Sequence, residues 1–275
     1  MEKFRIINNQ GEAYDVMPKG YNAAGFGYEN NATYLRQGNR YLNTLEYFKQ
    51  GTPSFSVLFP EETAETDYFN FIKFLQAAPL QLMIAYGSHN FYRDVRVGAV
   101  AKNWLPVEYI EATVTLRAIT PPYEKMSAFT DKIETISDGK TYEYVYDYTY
   151  NEQQQNTTYL DVDSFVESPV KLEIYGPCEN PIWSYYRNAK LEATGKIVAV
   201  IPAGRKLVID TTTTPYSITL QDLSNNVVDD LYKNSDFSTE RFIYFGKGRN
   251  RIAVTVDGND AVAVGMEAHV FYASI

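Results

Sequence analysis

Polar and apolar positions alternate in short runs along most of the chain, and only one stretch changes period. Phe4 and Ile6 open the pattern, and PSFSVLFP (residues 53–60) is a short apolar run closed by proline at both ends, so both read as strands. From Thr63 onward, Tyr68, Phe71, Ile72 and Leu75 fall at i, i+3, i+4 and i+7, which predicts an amphipathic helix over residues 63–77. Glu61, Glu62 and Glu65 suit the positive end of its dipole, and Pro79 stops it. Strands follow at 80–86 (LQLMIAY), 91–104 (FYRDVRVGAVAKNW) and 108–119 (EYIEATVTLRAI), the last with Tyr109, Ala112, Val114, Leu116 and Ala118 partly on one face.

Thr120-Pro121-Pro122-Tyr123 interrupts this pattern, because neither proline can donate to a ladder. The expected division is a first domain over residues 1–125, a linker at 126–139 and a second domain over 140–275. Residues 20–39, rich in Gly, Asn and Tyr, read as a long loop or irregular arm, and a loop of that length usually contacts something. In the second domain YEYVYDYTY (142–150) puts Tyr142, Tyr144, Tyr146, Tyr148 and Tyr150 on one strand face. After the polar turn NEQQQN, short strands recur between Gly, Asn, Asp and Pro clusters: PVKLEIYG, GKIVAVIPAG, RKLVIDT, YSITL, RFIYFGKG, RIAVTVDG and VAVGMEAHVFYA. That rhythm predicts a mostly-β protein of two β-sandwich-like domains, the first carrying the helix.

Composition narrows the function classes. The 24 Tyr and 15 Phe against 2 Trp favour pleated, half-buried surfaces and contact surfaces. A formal charge of −9 without a basic run argues against nucleic acid and against an anionic membrane surface. No stretch of about 20 apolar residues is present to span a bilayer, and the opening MEKFRIINNQ lacks the apolar core of a secretory signal. Cytoplasmic synthesis, with release by a route such as lysis, is the resulting expectation.

The chemistry-bearing residues are sparse. Cys178 is the sole cysteine, so neither an intrachain disulfide nor a cysteine-based zinc site can form, and beside Pro177 it reads as a small packed hydrophobe. The two histidines, His89 and His269, serve triads and metal sites poorly. Asp161 and Asp163 share a strand face but lack the further oxygen ligands of a calcium loop, so a solvated face is the better reading. Asp257-Gly258-Asn259-Asp260 is a hairpin turn before it is a ligand set. Gly246-Lys247-Gly248 lacks phosphate-loop spacing and leads into a strand. Paired carboxylates for glycoside hydrolysis are separated in space, and nothing in the spacing favours them. No catalytic, metal or cofactor residue is therefore assigned. The aromatics at 142–150, with Trp183, Tyr185 and Tyr186, either pack on their own sheet or face a partner or a sugar.

The layout resembles the distal tail proteins of long-tailed phages and prophages of Gram-positive hosts. In the first half the resemblance rests on the strand-rich opening, the PSFSVLFP segment, the helix with YFNFIKFL, the paired strands and the terminal P-P-Y. In the second half it rests on GPCENPIW, GKIVAVIPAGRKLVIDT and RFIYFGKGRNRIAV. There Gly176, Asn180, Pro181, Gly204, Leu207, Ile209, Asp210, Phe245, Gly248 and Asn250 stand at the marker positions. The resemblance implies a galectin-like second sandwich and a hexameric ring in the tail tip of the virion. It also implies partners: the major tail tube protein, a tail-tip or tail-associated protein and, in some relatives, a receptor-binding protein. On that reading residues 20–39 reach a neighbouring subunit. Two competing readings remain: a carbohydrate-binding adhesion module, motivated by the Tyr-rich strands and Trp183, and a cell-wall hydrolase, motivated only by abundant Asp and Glu.

Overall fold

The computed structural model describes residues 3–18, 28–37, 40–50, 52–60, 62–105, 109–131, 156–258 and 261–272, with backbone alone over 17–50. The chain divides into two compact units, residues 1–124 with 271–275, and residues 125–270. Among the described residues it is mostly β with one α-helix.

The first unit is built from β1 (Lys3–Ile7), β2 (Ala13–Pro18), β3 (Tyr28–Gln37), β4 (Arg40–Gln50) and β5 (Ser54–Phe59). After α1 (Ala64–Gln76) come β6 (Leu80–Tyr86), β7 (His89–Trp104), β8 (Ile110–Ala118) and the start of β9 (Tyr123–Thr130). Six of these strands pair antiparallel in a closed circuit, β1–β2–β5–β8–β7–β6 and back to β1. Closure removes the exposed sheet edge that would otherwise template aggregation. β7 makes closure feasible. Its first half pairs with β6, its second half with β8, and the register slips at Gly98 between Val97 and Ala99. A bulge there bends the strand and increases its twist.

The barrel interior is apolar for a local reason. In β8 Ile110, Ala112, Val114 and Leu116 are fully buried, with polar neighbours between them facing out. The buried set starts at Ile110, not at the Tyr109 expected from the pattern, and Tyr109 is exposed. Helix α1 begins where predicted, has Glu65 and Asp67 in its first turn, and ends just before Pro79. It packs Phe71, Phe74 and Leu75 into the same core as Phe59 and Ile6. Phe74 takes the buried place expected for Ile72, which is half-buried. Each such ring or leucine contributes about 1.5–3 kcal/mol on burial.

Residues 20–39 were expected to form a loop or arm. From Tyr28 the chain instead forms one side of a long antiparallel ribbon, β3–β4, running from Tyr28↔Gln50 to Gln37↔Arg40. Among the described residues this ribbon pairs only with itself. It is inserted between β2 and β5, which pair at its base through Met17↔Ser56 and Pro18↔Phe55.

The second unit continues β9 from Lys125 and adds β10 (Asn156–Val162), β11 (Ser168–Tyr175), β12 (Cys178–Glu179), β13 (Ile182–Arg187), β14 (Lys190–Lys196), β15 (Val200–Ile201), β16 (Arg205–Asp210), β17 (Ser217–Asp222), β18 (Val227–Asp230), β19 (Tyr244–Phe245), β20 (Gly248–Thr255) and β21 (Val264–Phe271). One sheet has the order β18–β17–β16–β11–β21–β9, and the other is β10–β20–β13–β14. GKIVAVIPAG, expected as one strand, is split between the end of β14 and β15. The two sheets face each other: Thr158 Oγ1 donates to the Val264 carbonyl, and the Tyr185 and Phe245 rings stack at 5.3 Å. Between them lie Trp183, Leu172, Ile174, Leu207, Ile252 and Val254, all fully buried. β11 alternates strictly, burying Val170, Leu172 and Ile174 and turning Lys171, Glu173 and Tyr175 to the outer face. The Tyr142–Tyr150 face and most of residues 126–139 lie outside the described residues.

Candidate functional site

Of the aromatics that raised the question of sugar stacking, Trp183 and Tyr185 on β13 belong to the core. Trp183 has no exposed surface and Tyr185 is 5% exposed. The indole lies against Gly195, where a Cβ would sit 2.1 Å from Cζ2, so no larger residue fits without displacement. Only Tyr186 turns outward, and the Arg251 guanidinium stacks on it at 3.8 Å.

The second-half residues on which the resemblance rests hold turns and strand joints. Asn250 is fully buried. It donates through Nδ2 to the Gly246 and Gly248 carbonyls at 2.9 and 2.8 Å, and its Oδ1 accepts from the Tyr185 hydroxyl at 2.7 Å. The same hydroxyl accepts from the Gly246 amide at 3.1 Å, which closes the network. Asn180 takes a left-handed conformation, φ 47°, and donates to Asp257 Oδ2 at 2.6 Å. Gly176 runs so close to the Pro202 carbonyl that a Cβ would lie 2.3 Å from it. Asp210 closes a local turn by accepting from the Thr212 amide and hydroxyl.

The candidate chemical residues are scattered. Asp161 is exposed on β10. Asp163, just past the strand, pairs with Lys247 at 2.6 Å in full solvent, a contact of little stabilising weight. Gly246-Lys247-Gly248 is a turn packed on Arg187 and Asn188, with Gly248 at φ 115°. Asp257 and Gly258 form a turn, while Asn259 and Asp260 lie outside the described residues. Cys178 is buried, and burial pushes its thiol up to about 11, so it holds its proton at neutral pH. His89 contacts Glu124 at 3.0 Å and His269 contacts Glu267 at 3.4 Å. No three metal-capable side chains converge among the described residues. Among the described residues no helix is long and apolar enough to cross a membrane.

Three surfaces were not legible in the sequence. At one end of the barrel Phe69 and Trp104 are exposed, and the Lys102 ammonium sits 4.9 Å from the Tyr68 and Trp104 centroids and 5.9 Å from Phe69. In the second unit an aromatic chain runs through Tyr216, Phe242, Tyr232 and Phe237, with Arg241 4.6 Å from the Phe237 centroid. The third is a groove on the outer face of the larger sheet, beside Phe129, Lys171, Glu173, Gly265 and Glu267. Each combines residues distant in sequence, so no local pattern announces it.

The described residues form a closed barrel with one helix and a two-sheet sandwich. Residues 3–119 match the family model described as "Distal tail protein, N-terminal domain". The first part of the chain, residues 3–119, thus carries the N-terminal domain of the distal tail protein family. Its fold is similar to a chain of "Structure of the Phage P2 Baseplate in its Activated Conformation with Ca", at TM-score 0.70, 12% identity and 100% coverage of both chains. The strontium form of that phage P2 baseplate matches equally, at TM-score 0.70 and 12% identity over 100% of both chains. The fold is also similar to "SPP1 Dit (gp 19.1) Protein, a Paradigm of Hub Adsorption Apparatus in Gram-positive Infecting Phages". There the TM-score is 0.57 and the identity 8%, with 98% of this chain and 99% of that chain covered. At such identities the likeness is one of fold. No curated protein matches the sequence.

Proposed function

We propose that this protein is a non-catalytic structural hub of the phage tail tip. Six copies form a ring that joins the tail tube to tail-tip proteins and, through the second unit, to receptor-binding proteins. The family match over residues 3–119 carries this reading. The self-paired ribbon β3–β4 supports it physically: a two-stranded hairpin is marginal alone in water and gains stability by packing on another surface. A neighbouring subunit supplies that surface. The contact is heterologous, so a ring closes when the rotation per copy is one sixth of a turn. In this arrangement residues 1–125 build the ring and residues 140–275, a galectin-like sandwich, project outward. The protein resides in the virion after synthesis in the host cytoplasm, with no role for nucleic acid or membrane.

Light scattering and negative-stain imaging of the purified chain test this. Ring particles of six copies are expected, and replacing residues 28–50 by a short Gly-Ser link is expected to leave monomers with an intact second unit. A chain that stays monomeric both alone and with its co-expressed tail tube protein would refute the ring.

A further inference from the structure

On the outer face of the β18–β17–β16–β11–β21–β9 sheet, a groove of about 270 Å³ is bounded by Ser127, Phe129, Lys171, Glu173, Gly265 and Glu267. The register explains how it forms. Glu173 on β11 pairs with Gly265 on β21, and Lys171 pairs with Glu267, so all four lie on one face. A side chain at position 265 would meet the Phe129 ring at 3.4 Å and the Glu173 carboxylate at 3.5 Å, so the glycine keeps the floor open. Phe129 forms the wall, 59% exposed and held edge-on by Tyr175 at 5.7 Å.

The polar groups of the groove are already fixed. Glu173 Oε1 accepts from Lys206 Nζ at 2.8 Å and Lys171 Nζ at 3.0 Å, and Oε2 accepts from the Tyr175 hydroxyl at 2.6 Å. Lys206 is itself 4% exposed and also donates to Asn225 Oδ1 at 2.7 Å. A carboxylate offers about four acceptor sites, so one remains open, and Lys171 uses one of three donors on Glu173. Glu267 accepts from His269 and feels Lys125 at the rim. A pre-ordered site costs a ligand little further ordering.

This combination selects one ligand chemistry. Glu173 and Glu267 balance Lys171 and Lys206, and the two carboxylates on the floor disfavour an anion. The exposed ring offers an apolar face beside directed acceptors and donors. The volume falls just below the roughly 300–1,000 Å³ of ligand pockets, so it admits a single ring. We propose that this groove binds a neutral pyranose unit of a cell-surface polysaccharide, its C–H face on Phe129 and its hydroxyls on Glu173, Lys171 and Glu267. The site lies wholly within the second unit and stands whether or not six copies form a ring.

Saturation-transfer NMR on the full-length protein tests it, using methyl glycosides of glucose, galactose, N-acetylglucosamine and rhamnose, with glycerol 3-phosphate as the anionic probe. At least one neutral glycoside should receive saturation, and Phe129→Ala should reduce the transfer roughly fivefold or more, the scale of one lost aromatic contact. Phe129 is exposed, so the variant should unfold at the wild-type temperature. Gly265→Val, which fills the groove from a strand position, should abolish transfer. Three results would each overturn the proposal: no transfer to any neutral glycoside, transfer unchanged in both variants, or preference for glycerol 3-phosphate.

Discussion

Asn250→Ala removes one amide from the interior of the second unit and exposes how much of the sandwich depends on a single side chain. The substitution leaves two buried groups, the Gly246 carbonyl and the Tyr185 hydroxyl as donor, and the part-buried Gly248 carbonyl without this partner. Each buried group left unsatisfied costs about 1–3 kcal/mol, but the Tyr185 hydroxyl still accepts from the Gly246 amide and the losses are not additive. A net destabilisation of about 3–5 kcal/mol is expected, a large share of the roughly 5–15 kcal/mol of a whole domain. For a unit of this size each kcal/mol lowers the midpoint by about 2–4 °C, which places the drop at roughly 6–20 °C. Trp183 is a suitable reporter, since it is fully buried beside Tyr185, and Trp104→Phe leaves it as the sole tryptophan. Its fluorescence should red-shift at the lower midpoint. Tyr185→Phe deletes only the hydroxyl of the same network, and the double variant should fall well short of the sum of the two. A midpoint within about 2 °C of wild type for Asn250→Ala, or strict additivity, would refute the network argument.

Two further outcomes follow from the electrostatics. Burial favours the neutral form of Glu173, but hydrogen bonds from Lys206, Tyr175 and Lys171 outweigh it and hold the carboxyl down at about 2 from 4.5. Because the folded value is depressed, its stabilisation is complete above pH 4.5 and lost as pH falls towards 2. The gap between wild-type and Glu173→Gln urea midpoints should therefore narrow over that window, and a constant gap would contradict the assignment. Cys178, with its thiol pushed up to about 11 by burial, should resist a thiol reagent in the folded protein at pH 8 and react fully in denaturant. Rapid labelling of the native chain would show that the strand pair around it opens.

The distal-tail match over residues 3–119 and the groove sit in different parts of the same molecule. Gly176, Asn180, Gly248 and Asn250, on which the resemblance in the second half rests, hold turns and strand joints, so they report a fold without reporting what it touches. The proposed sugar subsite uses none of them. The joints can stay while the outer sheet face changes, because β11 spends one set of alternate residues on the core and turns the other set to the outer face.

Features set by neighbours in the chain were readable from the residues alone. The helix at Ala64–Gln76, the stop before Pro79 and the strand at Leu80–Tyr86 each follow from a local period and a local breaker. The mostly-β class followed in the same way. What the chain pattern left open was which face of a strand meets which partner. Trp183 and Tyr186 both sit on one aromatic strand, yet one is sealed against Gly195 and the other lies half-buried under Arg251. Alternation separates two faces without saying which is covered. Closure of the barrel by β7 and β8, the self-paired ribbon from Tyr28 to Gln50, and the meeting of Phe129 with Glu173 and Gly265 depend on pairings between distant segments. Those contacts exist only once the chain is folded, which is why the tertiary structure alone could decide them.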